Sequence, residues 1–344
     1  MKKIIITILS IIITTSLLVS CNSEKGEKDG ENSSAVELFE ENQSERNEGA
    51  ISFAPDLTSE LLESGETLTF DYTGKEMKIP YRITGEAEGV ISKFGLIVFV
   101  DGIPQPYKIE KDEKKSAEDY IHNFNLEFKQ EEKFNIVFDP VIGKKGEKLA
   151  VTMATILRPD YLPESLEKYT SYGIYNSLAA NLPVVLNYKS SAKSKESFKT
   201  YNKVNYEKIS KEIKEYYNSI TPSYSEDYFD RNIISEISGN TDNENLITFE
   251  KNKKLKVQFK IWGGLEANYR TTFFVNHKPI KIEDCEYIEI KTKKDNIAVA
   301  EIEIDTQNLK DLNTIYAISV PYGEDYKKEI DFPIKTTSKL LAVS

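Results

Sequence analysis

One block of this chain is written twice, in the same order, and that constrains its fold more than any single motif does. The stretch VFVDGIPQPYKI, Val98 to Ile109, returns as FFVNHKPIKI, Phe273 to Ile282. Upstream, MKIPYRITG (Met77 to Gly85) is matched by LKVQFKIWG (Leu255 to Gly263), LTFDYTGKE around Phe70 by ITFEKNKK around Phe249, and SELLESG at Ser59 by SEISGN at Ser235. Downstream, KFNIVFD, ending at Asp139, is matched by AEIEID, ending at Asp305, and LAVTMATILRP, ending at Pro159, by TIYAISVP, ending at Pro321. Any one pair is within reach of chance. An ordered series whose spacing drifts only by loop-sized steps implies a tandem duplication.

Each copy holds about seven short alternating runs separated by turn residues, the pattern of an antiparallel β-sandwich. The expected fold is mainly β: two tandem antiparallel sandwiches, similar to immunoglobulin-like domains, with repeat one over 53–190 and repeat two over 229–344. The paired cysteines and central tryptophan of antibody domains are absent. Trp262 has no counterpart in repeat one, where Thr84 stands. Between the copies, in 191–228, Tyr206, Ile209, Ile213, Tyr217 and Ile220 recur at helical spacing, with Lys208, Lys211 and Lys214 facing outward. That spacing predicts a short helical connector with Asn205 as its cap.

The copies differ most after the matched prolines. Repeat one takes 25 residues from Pro159 to the expected last strand VVLNY at Val184, whereas repeat two takes nine from Pro321 to IDFPI at Ile330. The extra segment, 160–183, has a helix-start proline at Pro163, and Tyr169, Tyr172 and Tyr175 follow at a spacing of three. If helical, the three rings share one face. Eleven of the chain's twenty tyrosines lie between Tyr161 and Tyr228. A flat ring with a polar tip suits sugar stacking or protein contacts, so these three are the candidate binding residues. The plainer reading is that they pack the segment onto a sandwich edge.

The N-terminus is a separate matter. Lys2 and Lys3 precede an apolar and hydroxyl run from Ile4 to Val19, too short for a comfortable membrane span, which ends in LLVSC at Cys21. This segment resembles a bacterial lipoprotein signal with its lipobox. The resemblance covers residues 1–21 and implies cleavage before Cys21, acylation of that thiol and a lipid-anchored position on the extracytoplasmic face of the cell membrane. Residues 21–52 are polar, charged and poor in aromatics, so they are read as an acidic tether. Its root-mean-square reach is about 30 Å.

Cleavage would remove Lys2 and Lys3 and lower the formal net charge from −11 by two. A chain this acidic repels nucleic acid. With Cys21 carrying lipid, Cys285 is the one remaining cysteine, so no intramolecular disulfide is expected. Asp284 and Glu286 beside it disfavour a thiolate, which makes it a passive, half-buried residue.

Catalytic chemistry is thinly represented. His122 and His277 are the only histidines, and neither stands in a zinc-protease spacing. His277 occupies the turn position of Gly102 and is expected to face solvent. No nucleophile elbow, phosphate loop or dinucleotide fingerprint occurs. Asp227 and Asp230 in SEDYFDR are weak candidates for a paired-carboxylate site. GNTDNEN, from Gly239, carries oxygen ligands without the spacing of a calcium loop and reads as a polar hairpin turn. No cofactor or metal is expected. The reading that follows is a lipid-anchored binding or adhesion module for a glycan or protein of the envelope or a surface. A carboxylate-dependent envelope hydrolase and a structural spacer are the alternatives.

Overall fold

The computed structural model describes residues 49–56, 68–159, 178–180, 183–191, 194, 197–220, 232–241, 245–327, 333–336 and 338–344. Cys21, Tyr169, Tyr172, Tyr175, Asp227 and Asp230 lie outside the described residues.

The first copy runs through β1 (Ile51–Pro55), β2 (Thr69–Tyr72), β3 (Met77–Gly85), β4 (Ser92–Val100), β5 (Ile103–Pro104), β6 (Lys108–Lys111) and β7 (Lys114–Lys115). It continues with β8 (Ile121–Leu126), β9 (Glu131–Phe138), β10 (Lys148–Leu157), β11 (Leu178–Ala180) and β12 (Val184–Tyr188). Among the described residues one sheet has the order β1-β3-β9-β6-β7; the other has β2-β12-β10-β4-β5, with β8 on β4 and β11 on β10. The chain crosses from the first sheet to the second between β1 and β2, and β2 runs parallel to the last strand, β12. This is the immunoglobulin-like arrangement of first, second, fifth and fourth strands facing third, sixth and seventh.

The second copy repeats it with β15 (Ile233–Ser238), β16 (Leu246–Phe249), β17 (Lys254–Gly263), β18 (Asn268–Val275), β19 (Lys278–Ile280), β20 (Tyr287–Lys291), β21 (Asn296–Asp305), β22 (Leu312–Pro321), β23 (Ile334–Lys335) and β24 (Lys339–Val343). Here the connector supplies β13 (Thr200–Tyr201), β14 (Val204–Lys208) and the helix α1 (Lys211–Ile220). The sheet orders are β13-β20-β18-β22-β24-β16, with β19 on β18 and β23 on β22, and β14-β21-β17-β15. The expected helix from Asn205 is therefore half strand. Asn205 pairs with Val299 across β14 and β21, and the helix cap is Ser210, whose Oγ accepts from the Ile213 N–H at 3.3 Å. In copy one that edge is held by β6, which follows β5 in the chain. In copy two it is filled by a strand from upstream of the repeat.

The echo that revealed the duplication is a shared turn. Asp101 and Gly102 have φ of 48° and 80°, and Asn276 and His277 have 47° and 64°. Two successive positive values are the hairpin turn that matches strand twist. The ladders correct the remaining matches: Ser52 lies opposite Thr84 and Ile234 opposite Trp262, so Phe53 rather than Ser59 corresponds to Ser235. Val151 lies opposite Val100, and Ile315 opposite Val275, so Leu157 rather than Pro159 corresponds to Pro321. The last strand of copy two is β24, not IDFPI at Ile330. The true comparison is Leu157 to Val184 against Pro321 to Lys339, so the excess in copy one is smaller than the Ile330 reading implies.

Each sandwich has its own core. Tyr81, Phe94, Leu96, Ile136 and Leu186 belong to the first, and Phe259, Tyr269, Phe273, Ile288 and Leu341 to the second. A third cluster joins the two copies: Ile97, Phe99, Ala154 and Ile156 against Phe274, Tyr316, Ile318 and Val320, all fully buried. In the refined register Phe99 corresponds to Phe274, Ala154 to Ile318 and Ile156 to Val320. The sandwiches therefore meet through equivalent faces of equivalent sheets. Phe274 and Tyr316 stack at 5.2 Å and 8° within this seam.

Beside the seam Arg270 holds the copies in register. Its guanidinium donates to the Asp101 backbone oxygen at 2.8 Å and to Oδ2 at 2.9 Å, and also to Glu289 at 3.1 Å. Asp101 Oδ1 accepts from the Gly323 N–H at 2.9 Å, and the Tyr322 ring lies 4.1 Å from the guanidinium carbon. Burial pushes the Asp101 carboxyl above its ordinary value, against the pull of the Gly323 N–H and Arg270. The neighbouring Gly102 is required here. A Cβ would meet the Arg270 Cβ at 3.0 Å and the Val320 oxygen at 3.2 Å, at a φ of +80°. His277, at the matching turn of copy two, instead makes a 3.1 Å contact through Nδ1 with the Tyr316 hydroxyl and is half-buried, not solvent-facing.

Lys335 pairs with Ile318 on β22 as Ala180 pairs with Ala154 on β10, which sets it at the rim of the seam. Its Nζ lies 5.0 Å from the Tyr316 ring centroid and donates to Ser338 Oγ at 3.0 Å. The residue is partly exposed, yet its ammonium is desolvated, and burial pushes it down to about 7.

Two outcomes are expected. Phe99→Ala and Phe274→Ala should each cost about 3–5 kcal/mol, read as a lower urea midpoint. Because the Lys335 ammonium is easier to deprotonate in the folded state, the native chain binds fewer protons than the unfolded one between about pH 7 and about pH 10. Stability therefore rises with pH through that window, and the penalty is complete below it. Lys335→Met should raise the urea midpoint at about pH 6 and flatten the rise towards about pH 9.5; an unchanged slope would contradict this.

Candidate functional site

The four-stranded sheet of copy two presents an outer face with two different halves. Opposed residues on β15, β17 and β21 set them out as rows: Ile234–Trp262–Ile297, Glu236–Lys260–Val299, Ser238–Gln258–Glu301, and Lys256–Glu303. Side chains alternate between faces along a strand, so these rows share the side away from the core.

The first half is apolar and covered. Trp262, Ile297 and Val299 are buried together with Ile209, and Ile213 and Tyr217 of α1 and Ile234 pack against them. Ile209, Ile213 and Tyr217 fall on one helical face, which is why α1 lies here. Glu212 in its first turn accepts from its own backbone N–H and from Ser210, which lowers its carboxyl below the ordinary value. Lys214 ties the helix to Asp295 and holds that carboxyl low. Tyr217 meets Trp262 edge-on at 6.0 Å, and Tyr216, 58% exposed, meets Tyr217 edge-on at 5.3 Å. A groove of about 340 Å³ remains along this contact, bordered by Glu212, Tyr216, Glu236, Lys260 and Trp262. The buried Trp262 Nε1 has no hydrogen-bond partner among the described residues.

The second half is polar and uncovered. A groove of about 580 Å³ lies over Gln258, Glu301 and Glu303, walled by Tyr201, Asn205 and Asn240. The segment joining β13 to β14 forms one wall, and the Tyr201 hydroxyl donates to the Glu301 backbone oxygen, fixing the ring at the groove's edge. Lys203 pairs with Glu283 at 2.6 Å, and Lys256 lies 3.9 Å from Glu303. Amides, hydroxyls, carboxylates and ammonium groups here offer donors and acceptors side by side.

The corresponding sheet of copy one presents a different surface among the described residues. Its outer side carries Lys78–Glu110, Lys108–Glu76 and Lys133–Asp56 pairs, a solvated charge ladder. Exposed pairs of this kind contribute little.

Of the residues singled out by sequence, Gly239 and Asn240 of the GNTDNEN turn border the polar groove. His122 contacts the Tyr107 backbone oxygen at 2.8 Å, on the other sandwich. Cys285 is free and half-buried in a bridge with Ile282. No group among the described residues is arranged to hold a metal ion, and no helix there is long and apolar enough to cross a membrane. The groove residues stand at outward strand positions, where sequence predicts only a solvated face. The one signal for this surface was Trp262, outward on a strand where the other copy has Thr84.

Tyr217→Ala should loosen α1 at a cost of about 2 kcal/mol, less than a fully buried aromatic. Emission from Trp262, the single tryptophan, would shift to the red, and faster amide exchange in α1 would accompany it.

No family model and no curated protein matches the chain. Solved structures with similar folds include the CARDB domain of the PF1109 protein from Pyrococcus furiosus, in complex with di-metal ions. It is 12% identical, with a TM-score of 0.25, covering 33% of this chain and 88% of that one. The fibronectin(III)-like modules of Clostridium thermocellum CbhA are 8% identical, with a TM-score of 0.21, covering 86% and 95%. The CsuC–CsuE chaperone–tip adhesion subunit complex of Acinetobacter baumannii Csu pili is 8% identical, with a TM-score of 0.21, covering 86% and 99%. Likeness at this level carries no argument about function, and the fold assignment rests on the strand orders and registers above.

Proposed function

We propose that this chain is a lipid-anchored, extracytoplasmic binding module for an envelope or surface glycan, contacted in the polar groove over Gln258 and Glu301. The observation that carries the reading is the lining of that groove. The centre of a protein–protein interface is depleted in charge and rich in aromatic and apolar side chains. This groove instead sets Asn205, Asn240, Gln258, Glu301 and Glu303 beside a single tyrosine edge. A hydroxyl-rich ligand can use such closely spaced donors and acceptors without burying an unpaired group. Glu283 and Glu303 each face a lysine, an arrangement suited to holding a ligand. The resemblance of residues 1–21 to a lipoprotein signal, followed by an acidic tether, supports placement at a membrane surface.

The test is pull-down and calorimetry of the full chain, in a non-glycosidic detergent, with purified cell-wall polysaccharide. Gln258→Ala with Asn205→Ala should weaken binding about tenfold or more, the effect of losing about 1.4 kcal/mol, while thermal unfolding stays unchanged. Loss on Tyr172→Ala with Tyr175→Ala, and not on the groove pair, would move the site to the 160–183 segment. Retention of binding by a detergent-purified Cys21→Ser chain that no longer fractionates with membranes would separate anchoring from recognition.

A further inference from the structure

The two grooves lie end to end on successive rows of the same sheet. Lys256 and Gln258 floor the polar one, and Lys260 and Trp262 border the aromatic one. From Lys256 to Trp262 the strand spans about 20 Å, the length of several saccharide units. We infer that the cleft between α1 and β17, at Tyr216, Lys260 and Trp262, is a second binding subsite that takes the continuing end of one uncharged linear saccharide lying along β17. The inference rests on the polar groove being a glycan site.

Three observations point to that occupant. Trp262 borders the cleft with 3% of its surface exposed, so one wall of the cleft is an aromatic edge. Tyr216 stands exposed at the cleft's mouth, edge-on to Tyr217, which is edge-on to Trp262. An exposed tyrosine ring offers a sugar a flat apolar face, the contact that the polar groove lacks. Finally, the charges select against a polyanion. Glu212 and Glu236 outnumber Lys260 at the cleft, Glu283, Glu301 and Glu303 outnumber Lys203 and Lys256 in the groove, and the whole chain is acidic.

Trp262 is the chain's only tryptophan, so its fluorescence reports on this cleft alone. The full chain, in a non-glycosidic detergent, is titrated with uncharged chito-, cello- and manno-oligosaccharides of increasing length, from disaccharides upward. Calorimetry and tryptophan emission are followed together. Short oligomers of the recognised series should bind without moving the emission. Longer ones should bind at least tenfold more tightly and change it. Tyr216→Ala, at an exposed position, should abolish the gain with length and leave short-oligomer binding intact. If affinity does not grow with length, or grows without any change at Trp262, the second subsite is overturned while the glycan reading of the polar groove stands. If no uncharged oligosaccharide of any length binds, both are overturned.

Discussion

Everything else in the molecule depends on two sheets being buried on both sides. In a lone sandwich, each sheet keeps one face for the core and one for water. Here β4 and β10 of copy one and β18 and β22 of copy two give their outer faces to one another, with Phe99, Ile156, Phe274 and Ile318 fully enclosed. Burial of apolar surface is the dominant favourable term in association, but it is non-directional. Apolar faces meeting across such a seam can slide or rotate at little cost in area. Direction comes from the polar contacts at the rim, where Asp101 reaches across to Arg270 and Gly323 while its counterpart Asn276 bonds within its own copy, to Asn313 and Thr314. The duplication supplies the match, and the departure from it fixes the register.

Once those two sheets are committed to the seam, the outward surface that remains regular is that of the other two. The copies treat it differently. Copy one covers it with lysine–glutamate pairs and closes its edge with the β6–β7 hairpin. Copy two receives β14 from the connector, so the chain arrives already lying across its sheet, and α1 follows directly onto Trp262, Ile297 and Val299. The helix is ten residues long and covers half of the face. The polar groove exists because α1 stops short and because the segment around Lys203 raises a wall beside it. A connector that only linked two domains would build neither.

Much of this was legible in the residues. Alternation in MKIPYRITG and LKVQFKIWG announces strands with one buried face, and both are found that way. The doubled turn, Asp101–Gly102 and Asn276–His277, has one backbone conformation in both copies. The seam was also written in the chain, in the apolar runs GLIVFV and IYAI, since a strand buried on both faces loses its alternation. What remained hidden depends on distance in sequence. Asn205 reads as a helix cap because the periodicity of Tyr206, Ile209 and Ile213 continues smoothly into α1. Only the free edge of β21, ninety residues away in the chain, makes a strand the better partner. The same holds for IDFPI, which has strand-like residues, whereas the ladder places KLLAV beside β22. The groove was illegible for another reason: Gln258, Glu301 and Glu303 obey the rule for a solvated strand face, and nothing local distinguishes a face that water covers from one that a ligand covers.

The contrast between Thr84 and Trp262 follows from this division of labour. Both close a matched strand on its outer side, at the same step before Gly85 and Gly263. Threonine suits a sheet face left to solvent. A tryptophan there would expose one of the largest apolar surfaces a side chain can offer unless something covered it. Covering it requires an amphipathic segment nearby, which the connector provides in Ile209, Ile213 and Tyr217. Yet the cover is incomplete. Packing against α1 accounts for the ring, and the cleft of about 340 Å³ that remains beside it is the part of this face that the helix leaves open.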